Sequence, residues 1–283
     1  MGADTFPWLK GHGTENDFIL LPDPDGTLHG DLDDELVRFL CDRHAGIGAD
    51  GVLRVIDGRK QSYVEDGGEW FMDYRNADGS IGEMCGNGIR VFARYLAEAG
   101  LVGSKPVRVG TRAGVKEVVY NDDQTVTADM GEPSFPGPDA ITVAANGHEW
   151  PARHVDMGNP HAVAFVNDLA DPGHLVTAPV WTPADAYPHG VNVEFVTRQG
   201  PNEVSMRVHE RGVGETRSCG TGTCAVTAAA ALQAGQSAPV TYRVNVPGGA
   251  VAVTWRADNH LTLTGPATIH ARGTFSHTWL PTP

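Results

Sequence analysis

Residues 84–100 read MCGNGIRVFARYLAEAG, and residues 218–235 read SCGTGTCAVTAAAALQAG. Laid over each other without a gap, Cys85 falls on Cys219, Gly86 on Gly220 and Gly88 on Gly222. The same register carries Met72 onto Met206 and Asn76 onto Glu210. Each stretch runs from Cys-Gly into helix-forming residues and stops at a glycine, Gly100 or Gly235, the residue that most readily ends a helix. The second helix is apolar nearly all round (Ala225, Val226, Ala228 to Leu232), so it needs burial on every side. Two look-alike cysteine helices predict an internal duplication, with one site built from both halves. A sheet curled around each helix is the arrangement that would bury them.

The flanking chain repeats in the same order. FPWLK, the turn GHGTEND and FILL predict strand, turn, strand near the N-terminus; HVDMGNPHAVAFV (154–166) predicts the same in the second half. An amphipathic helix is expected over 33–44, with Leu36, Val37, Leu40 and Cys41 at helical spacing. GIGADG at 46–51 has the spacing of a dinucleotide fingerprint, but a helix precedes it and the β-like run VLRVI follows. A nucleotide site needs the reverse order, so a helix-to-strand turn is expected. GVNVEFV (190–196) is its counterpart in the second half. VRVGT, VKEVVY and TVTADM predict a meander after the first helix, and PVTYRVNVPGGAVAVTWR a hairpin after the second, with LTLTG beyond it. A short helix is expected around 174–178. The proline-rich EPSFPGPD (132–139) marks the boundary, because no regular element tolerates three prolines there. The expected domains are 1–131, joined by a returning tail 268–283, and 132–267.

Composition narrows the function. The 283 residues contain 35 acidic and 21 basic side chains, a net charge of −14. That sign repels phosphate backbones and argues against nucleic acid as a partner. No stretch approaches the ~20 apolar residues of a membrane span. The N-terminus has no apolar core behind a basic region, so a cytoplasmic protein without a membrane partner is expected. Four cysteines in a chain this long are not a disulfide scaffold and are expected as thiols. Cys41 and Cys224 are expected in the core.

Cys85 and Cys219 are different. Each is expected at a helix N-terminus, where several backbone N–H groups lack partners in the helix and roughly half a positive charge accumulates. A thiol there should ionise more readily than the ~8.5 of a free cysteine. The N–H groups of Gly86 and Asn87, or of Gly220 and Thr221, can hold a carboxylate. Two such ends gripping one carboxylate would present a sulfur to each face of the adjacent carbon. One thiolate can then remove the Cα proton while the opposite thiol supplies another, and the carboxylate spreads the carbanion's charge. Neither metal nor organic cofactor is called for. A redox dithiol would favour C-x-x-C, a zinc site needs four spaced ligands, and a phosphate loop needs a lysine that GTGTCAV lacks. A thiol hydrolase would not explain two cysteines in duplicated frames.

The motifs GHGTENDF, GIGADG, RNADGS, MCGNGIR, MGNPH, GVNVEF and HERGVGET-x-x-CGTG, in this order over nearly the whole chain, resemble diaminopimelate epimerase. The resemblance implies an α/β (α+β) fold of two pseudo-symmetric domains, each a mixed β-barrel wrapped around a central α-helix. It implies cofactor-independent interconversion of LL- and meso-diaminopimelate, a small-molecule substrate, in lysine and peptidoglycan precursor synthesis, by a homodimer. Cys85 and Cys219 would be the paired acid and base, assisted by His161 and Glu210. Gly86, Asn87, Gly220 and Thr221 would bind the reacting carboxylate. Asn16, Asn76, Asn159, Asn192, Glu210 and Arg211 would bind the far end. Proline racemase, a related two-cysteine family, usually reads CGHG where this chain reads CGNG. The chain departs from its family at GTEND, where many members have GLGND, at Gly51, where some carry a glutamine, and at His270, where some carry an aromatic residue linked to dimer contact.

Overall fold

The computed structural model describes residues 5–103, 105–137 and 140–276. The first four residues, the last two of the proline-rich segment and the end of the tail lie outside them. The chain divides into two compact units. One runs through Ala128 and takes back the chain from Pro266, and the other is Asp129–Gly265.

In the first unit the strands Thr5–Gly13 and Asn16–Pro22 form a hairpin, and Gly51–Asp57 joins it in parallel. Trp70–Asn76 runs antiparallel to Gly51–Asp57, and Val107–Thr111 pairs in parallel beyond it. Gly114–Tyr120 and the strand that begins at Val126 complete a meander. The returning strand Thr268–Ser276 pairs antiparallel with Thr5–Gly13 at the other edge. The helix α2 (Gly86–Glu98) touches Gly114–Tyr120 near one edge of this sheet and Thr268–Ser276 at the other, so the sheet curls around it.

The second unit repeats the plan. His148–Asp156 and Pro160–Phe165 form the hairpin, Asn192–Gly200 joins in parallel and Glu203–Glu210 pairs antiparallel. Val240–Val246 pairs with Glu203–Glu210 in parallel, then Gly249–Trp255 and Leu261–Gly265 follow as a meander. Ile141–Ala145 takes the edge that Thr268–Ser276 takes in the first unit. Inside sits α3 (Gly220–Gln233). Residues Thr223 through Ala231 of α3 are all buried, and four consecutive alanines let the strands approach from every side. This is the mixed, helix-wrapping α/β fold that the sequence predicts.

Two local expectations change, and one between them holds. The first helix, α1 (Asp34–Cys41), is shorter than 33–44. Asp33 caps it by accepting from the Glu35 N–H, and the Asp42 carboxylate accepts from the N–H groups of His44 and Ala45. Those amides are thereby taken from the helical ladder. GIGADG is the expected turn: Ile47 and Gly48 donate back to the Leu40 carbonyl, and the strand begins at Gly51. No helix forms at 174–178. Gly173 at φ +68 and Pro179 leave too few residues between them, and Pro179 disfavours helical backbone at Ala178. A turn stands there, followed by the strand Val180–Thr182 and a 3-10 turn at Ala184–Ala186.

Candidate active site

Both cysteines occupy the N-cap position of a central helix. Cys85 has φ −140 and ψ 121, and Cys219 has φ −121 and ψ 116, extended backbone that turns into helix at the next residue. Ser, Thr, Asp or Asn usually caps such an end through an oxygen. Here sulfur does it: Gly88 N–H donates to the Cys85 Sγ and Gly222 N–H to the Cys219 Sγ, each at 3.4 Å. The helical ladders begin with Ile89 N–H to Cys85 C=O and Thr223 N–H to Cys219 C=O. Gly86 and Asn87, and Gly220 and Thr221, precede them, so their N–H groups have no carbonyl within the helix.

In the first unit Asn16 links the parts. Its Nδ2 donates to Asp50 Oδ2 at 2.8 Å, which turns its Oδ1 toward Asn87 Nδ2 at 3.1 Å and Cys85 Sγ at 3.7 Å. Arg43 clamps Asp50 and Asp17 at 2.8 Å each. Asn76 ends its strand opposite Gly51, accepting from the Tyr74 hydroxyl at 2.6 Å and donating to Ser80 Oγ at 3.0 Å. The departure at GTEND is structural: Thr14 (φ 51) and Glu15 (φ 62) form a two-residue hairpin turn in left-handed backbone that glycine or asparagine would fit better. Arg90 of α2, fully buried, holds that turn by donating to Thr14 Oγ1 at 3.2 Å.

In the second unit Cys219 is 6% exposed. Thr221 Oγ1 lies 3.5 Å from its sulfur, and the Glu210 carboxyl is near enough to act on it electrostatically. The Thr216 hydroxyl donates to Glu210 Oε1. His161 Nδ1 lies 2.6 Å from Glu194 Oε1 and its Nε2 3.1 Å from Asn159 Oδ1. Asn192 stands beside His161 in register and accepts the Arg211 N–H at 2.9 Å. The Arg211 side chain is exposed, with one contact to the His189 carbonyl at 3.4 Å.

One expectation is reversed. A thiol at the end of α3 was to ionise readily, yet the Cys219 thiol is pushed well above the ordinary thiol range. Burial is the first cause, and the carboxylates of Glu210 and Glu194 add to it. The Thr221 hydroxyl and the Gly222 N–H act in the other direction and are outweighed. Burial also raises Glu210 and Glu194 above the usual carboxyl range. Cys219 is therefore a thiol at rest. Cys41 is a core residue beside Asp17, pushed up to about 12 by burial, and Cys224 is fully buried.

Sequence reasoning passed over Glu194, Asp50 and Thr216. Glu194 did leave a signal: a carboxylate inside the apolar run VNVEFV, two residues from Asn192 and hence on the same strand face. Among the described residues no group of three or more His, Cys, Asp or Glu is arranged to hold a metal ion, and no helix is long and apolar enough to cross a membrane.

The fold has solved counterparts. A phenazine biosynthesis protein of the PhzF family from Bacillus anthracis superposes with a TM-score of 0.71 at 16% identity, covering 96% of this chain and 99% of that one. A hydroxyproline epimerase from Agrobacterium vitis, with bound trans-4-hydroxy-L-proline, superposes with a TM-score of 0.68 at 18% identity, covering 96% and 93%. These define the class by architecture: two units, each a sheet wound on a helix. The sequence defines it more finely. The diaminopimelate epimerase profile matches residues 8–136 and 153–270. Proteins named diaminopimelate epimerase are 53% identical in Streptomyces coelicolor (96% of each chain), 50% in Corynebacterium glutamicum (95% of this chain, 98% of that one) and 48% in Thermobifida fusca (94% and 96%). The chain belongs to the diaminopimelate epimerase family.

Proposed function

We propose that this chain is an isomerase that interconverts LL- and meso-diaminopimelate by proton transfer between two cysteines and one Cα. The observation that carries the proposal is the repeated N-capping cysteine, Cys85 on α2 and Cys219 on α3, in a member of this family. One sulfur, as thiolate, takes the Cα proton and becomes a thiol. The electron pair left on carbon is delocalised into the carboxylate, held by the N–H groups of Gly86, Asn87, Gly220 and Thr221. The other sulfur, a thiol, gives its proton to the opposite face and becomes the thiolate. Atoms and charge balance, and the reverse direction restores the starting state. Glu210 exchanges a proton with Cys219, so the two titrate as a pair. Asn16, Asn76, Asn159, Asn192 and Arg211 bind the far amine and carboxylate. The guanidinium suits bidentate pairing with that carboxylate. The product feeds lysine and peptidoglycan precursor synthesis. A cytoplasmic homodimer is part of the same proposal, and sedimentation of the purified protein tests the dimer.

Incubation with LL-diaminopimelate in deuterated water tests the chemistry. Deuterium should enter at one Cα as the meso isomer appears. Incorporation into proline instead, with none into diaminopimelate, would overturn the assignment.

A further inference from the structure

We propose that Glu194 is a positioning residue of the second half-site: through His161 it fixes the amide of Asn159 with Nδ2 free to face the substrate. Its kinetic arm rests on the epimerisation proposed above.

The placement is unusual for a strand residue. Glu194 sits between Val163 and Val208 in the register of three adjacent strands, and its side chain is fully buried. Val196 takes the next position on the same face. An apolar residue would satisfy the sheet, whereas a buried carboxylate is destabilising unless it is paired. Its Oε1 lies only 2.8 Å from where a Cβ on Gly222 would be, so the carboxyl packs against the first turn of α3 and excludes any side chain there. Oε2 has no hydrogen-bond partner among the described residues. The titratable groups around it are His161, Glu210, Cys219 and Tyr187, with His154 behind His161. Among the described residues the Tyr187 hydroxyl and both buried His154 ring nitrogens also have no hydrogen-bond partner, and the two rings lie 5.0 Å apart. So much unrewarded polarity around a fold-neutral position points to function.

The chemistry follows from the two distances. One proton lies between Glu194 Oε1 and His161 Nδ1 at 2.6 Å. The Asn159 amide oxygen that faces Nε2 at 3.1 Å can only accept, so Nε2 carries a hydrogen in this arrangement, and Nδ1 meets Glu194 either as acceptor of a carboxylic acid proton or as donor of an imidazolium. Asn159 Oδ1 is thus engaged, and Nδ2 is left to donate elsewhere. Without Glu194 the ring can adopt the other tautomer, and the amide can turn its oxygen outward. A donor to the substrate then becomes an acceptor.

Two variants of the full-length protein test this. Glu194→Met keeps the length and removes the hold. Glu194→Gln keeps a hydrogen-bonding partner for Nδ1. The first readout is the His161 ring resonances in histidine-labelled protein, assigned with a His161→Gln control and recorded without substrate. Wild type should show a far-downfield proton from the short bond, and Glu194→Met should lose it. The second readout is kinetic. Glu194→Met should raise KM for diaminopimelate about tenfold to a hundredfold with a smaller effect on kcat, and Glu194→Gln should recover most of that loss. Unchanged ring signals in Glu194→Met, unchanged KM, or a loss that Glu194→Gln fails to recover would each overturn the proposal. The ring signals need no turnover. Their presence in a protein that does not epimerise diaminopimelate would therefore separate failure of the proposed reaction from failure of this inference.

Discussion

Cys85 and Cys219 hold the same place on two equivalent helices, yet their surroundings differ. Cys85 is partly exposed and meets the amide of Asn16, which also binds Asn87. Cys219 is buried and has the carboxyls of Glu210 and Glu194 close by. An amide meets one sulfur, while burial governs the other and two carboxylates add to it. The fold supplies the same helix end twice; the strands that bring in Asn16, Glu194 and Glu210 make the halves chemically unequal. A two-base reaction needs its partners in opposite protonation states, and this asymmetry provides a resting thiol at Cys219.

The comparison can be broken at several points. Replacing either Cys85 or Cys219 by alanine should lower epimerisation by about 10⁴-fold, measured as meso isomer formed, while the thermal unfolding curve stays near wild type. Normal turnover by either variant would remove the two-base account. Glu210→Gln should cost about a hundredfold. It also removes a negative charge beside Cys219, so that thiol should ionise at lower pH than in the parent. The rate of iodoacetamide alkylation against pH, in a Cys85→Ala background, reads this shift, and an unmoved profile would deny the carboxylate its effect. Asp50→Ala releases the Asn16 amide and should raise KM about tenfold with a smaller change in kcat.

The smallest effect concerns stability. Burial alone would raise the Asp17 carboxyl, but Arg43 and Lys10 outweigh it and hold Asp17 at about 2 against an ordinary 3.8. A depressed carboxyl stabilises the folded state above its unfolded value and loses that contribution as pH falls from near 4 toward 2. Allowing for solvent screening, the contribution is about 1 kcal/mol. Asp17→Asn should lose about that much at pH 6 in urea unfolding and show a flatter acid dependence between pH 4 and 2.

The duplication was legible because its marks are local. A Cys-Gly start, an alanine-rich middle and a glycine stop identify each helix, and an all-apolar α3 demands a sheet around it. The asparagines were legible only as parts of motifs. What joins them was not, since Asp50 reaches Asn16 and Glu194 reaches His161 across neighbouring strands. The acidity of Cys219 was misjudged for the same reason. The helix-end argument counts only the chain beside the cysteine, while burial and two carboxylates arrive from the sheet. The helix expected at 174–178 failed because the spacing of Gly173 and Pro179 outweighs composition.

Solvent exchange by the two single-cysteine variants tests the central claim most directly. Each variant keeps one base, so it can remove a Cα proton from one face and return deuterium to that same face without inversion. Cys85→Ala and Cys219→Ala, each incubated in deuterated water with LL- and then meso-diaminopimelate, should exchange opposite configurations at Cα. Exchange of the same configuration by both variants would contradict a mechanism in which the two sulfurs serve opposite faces.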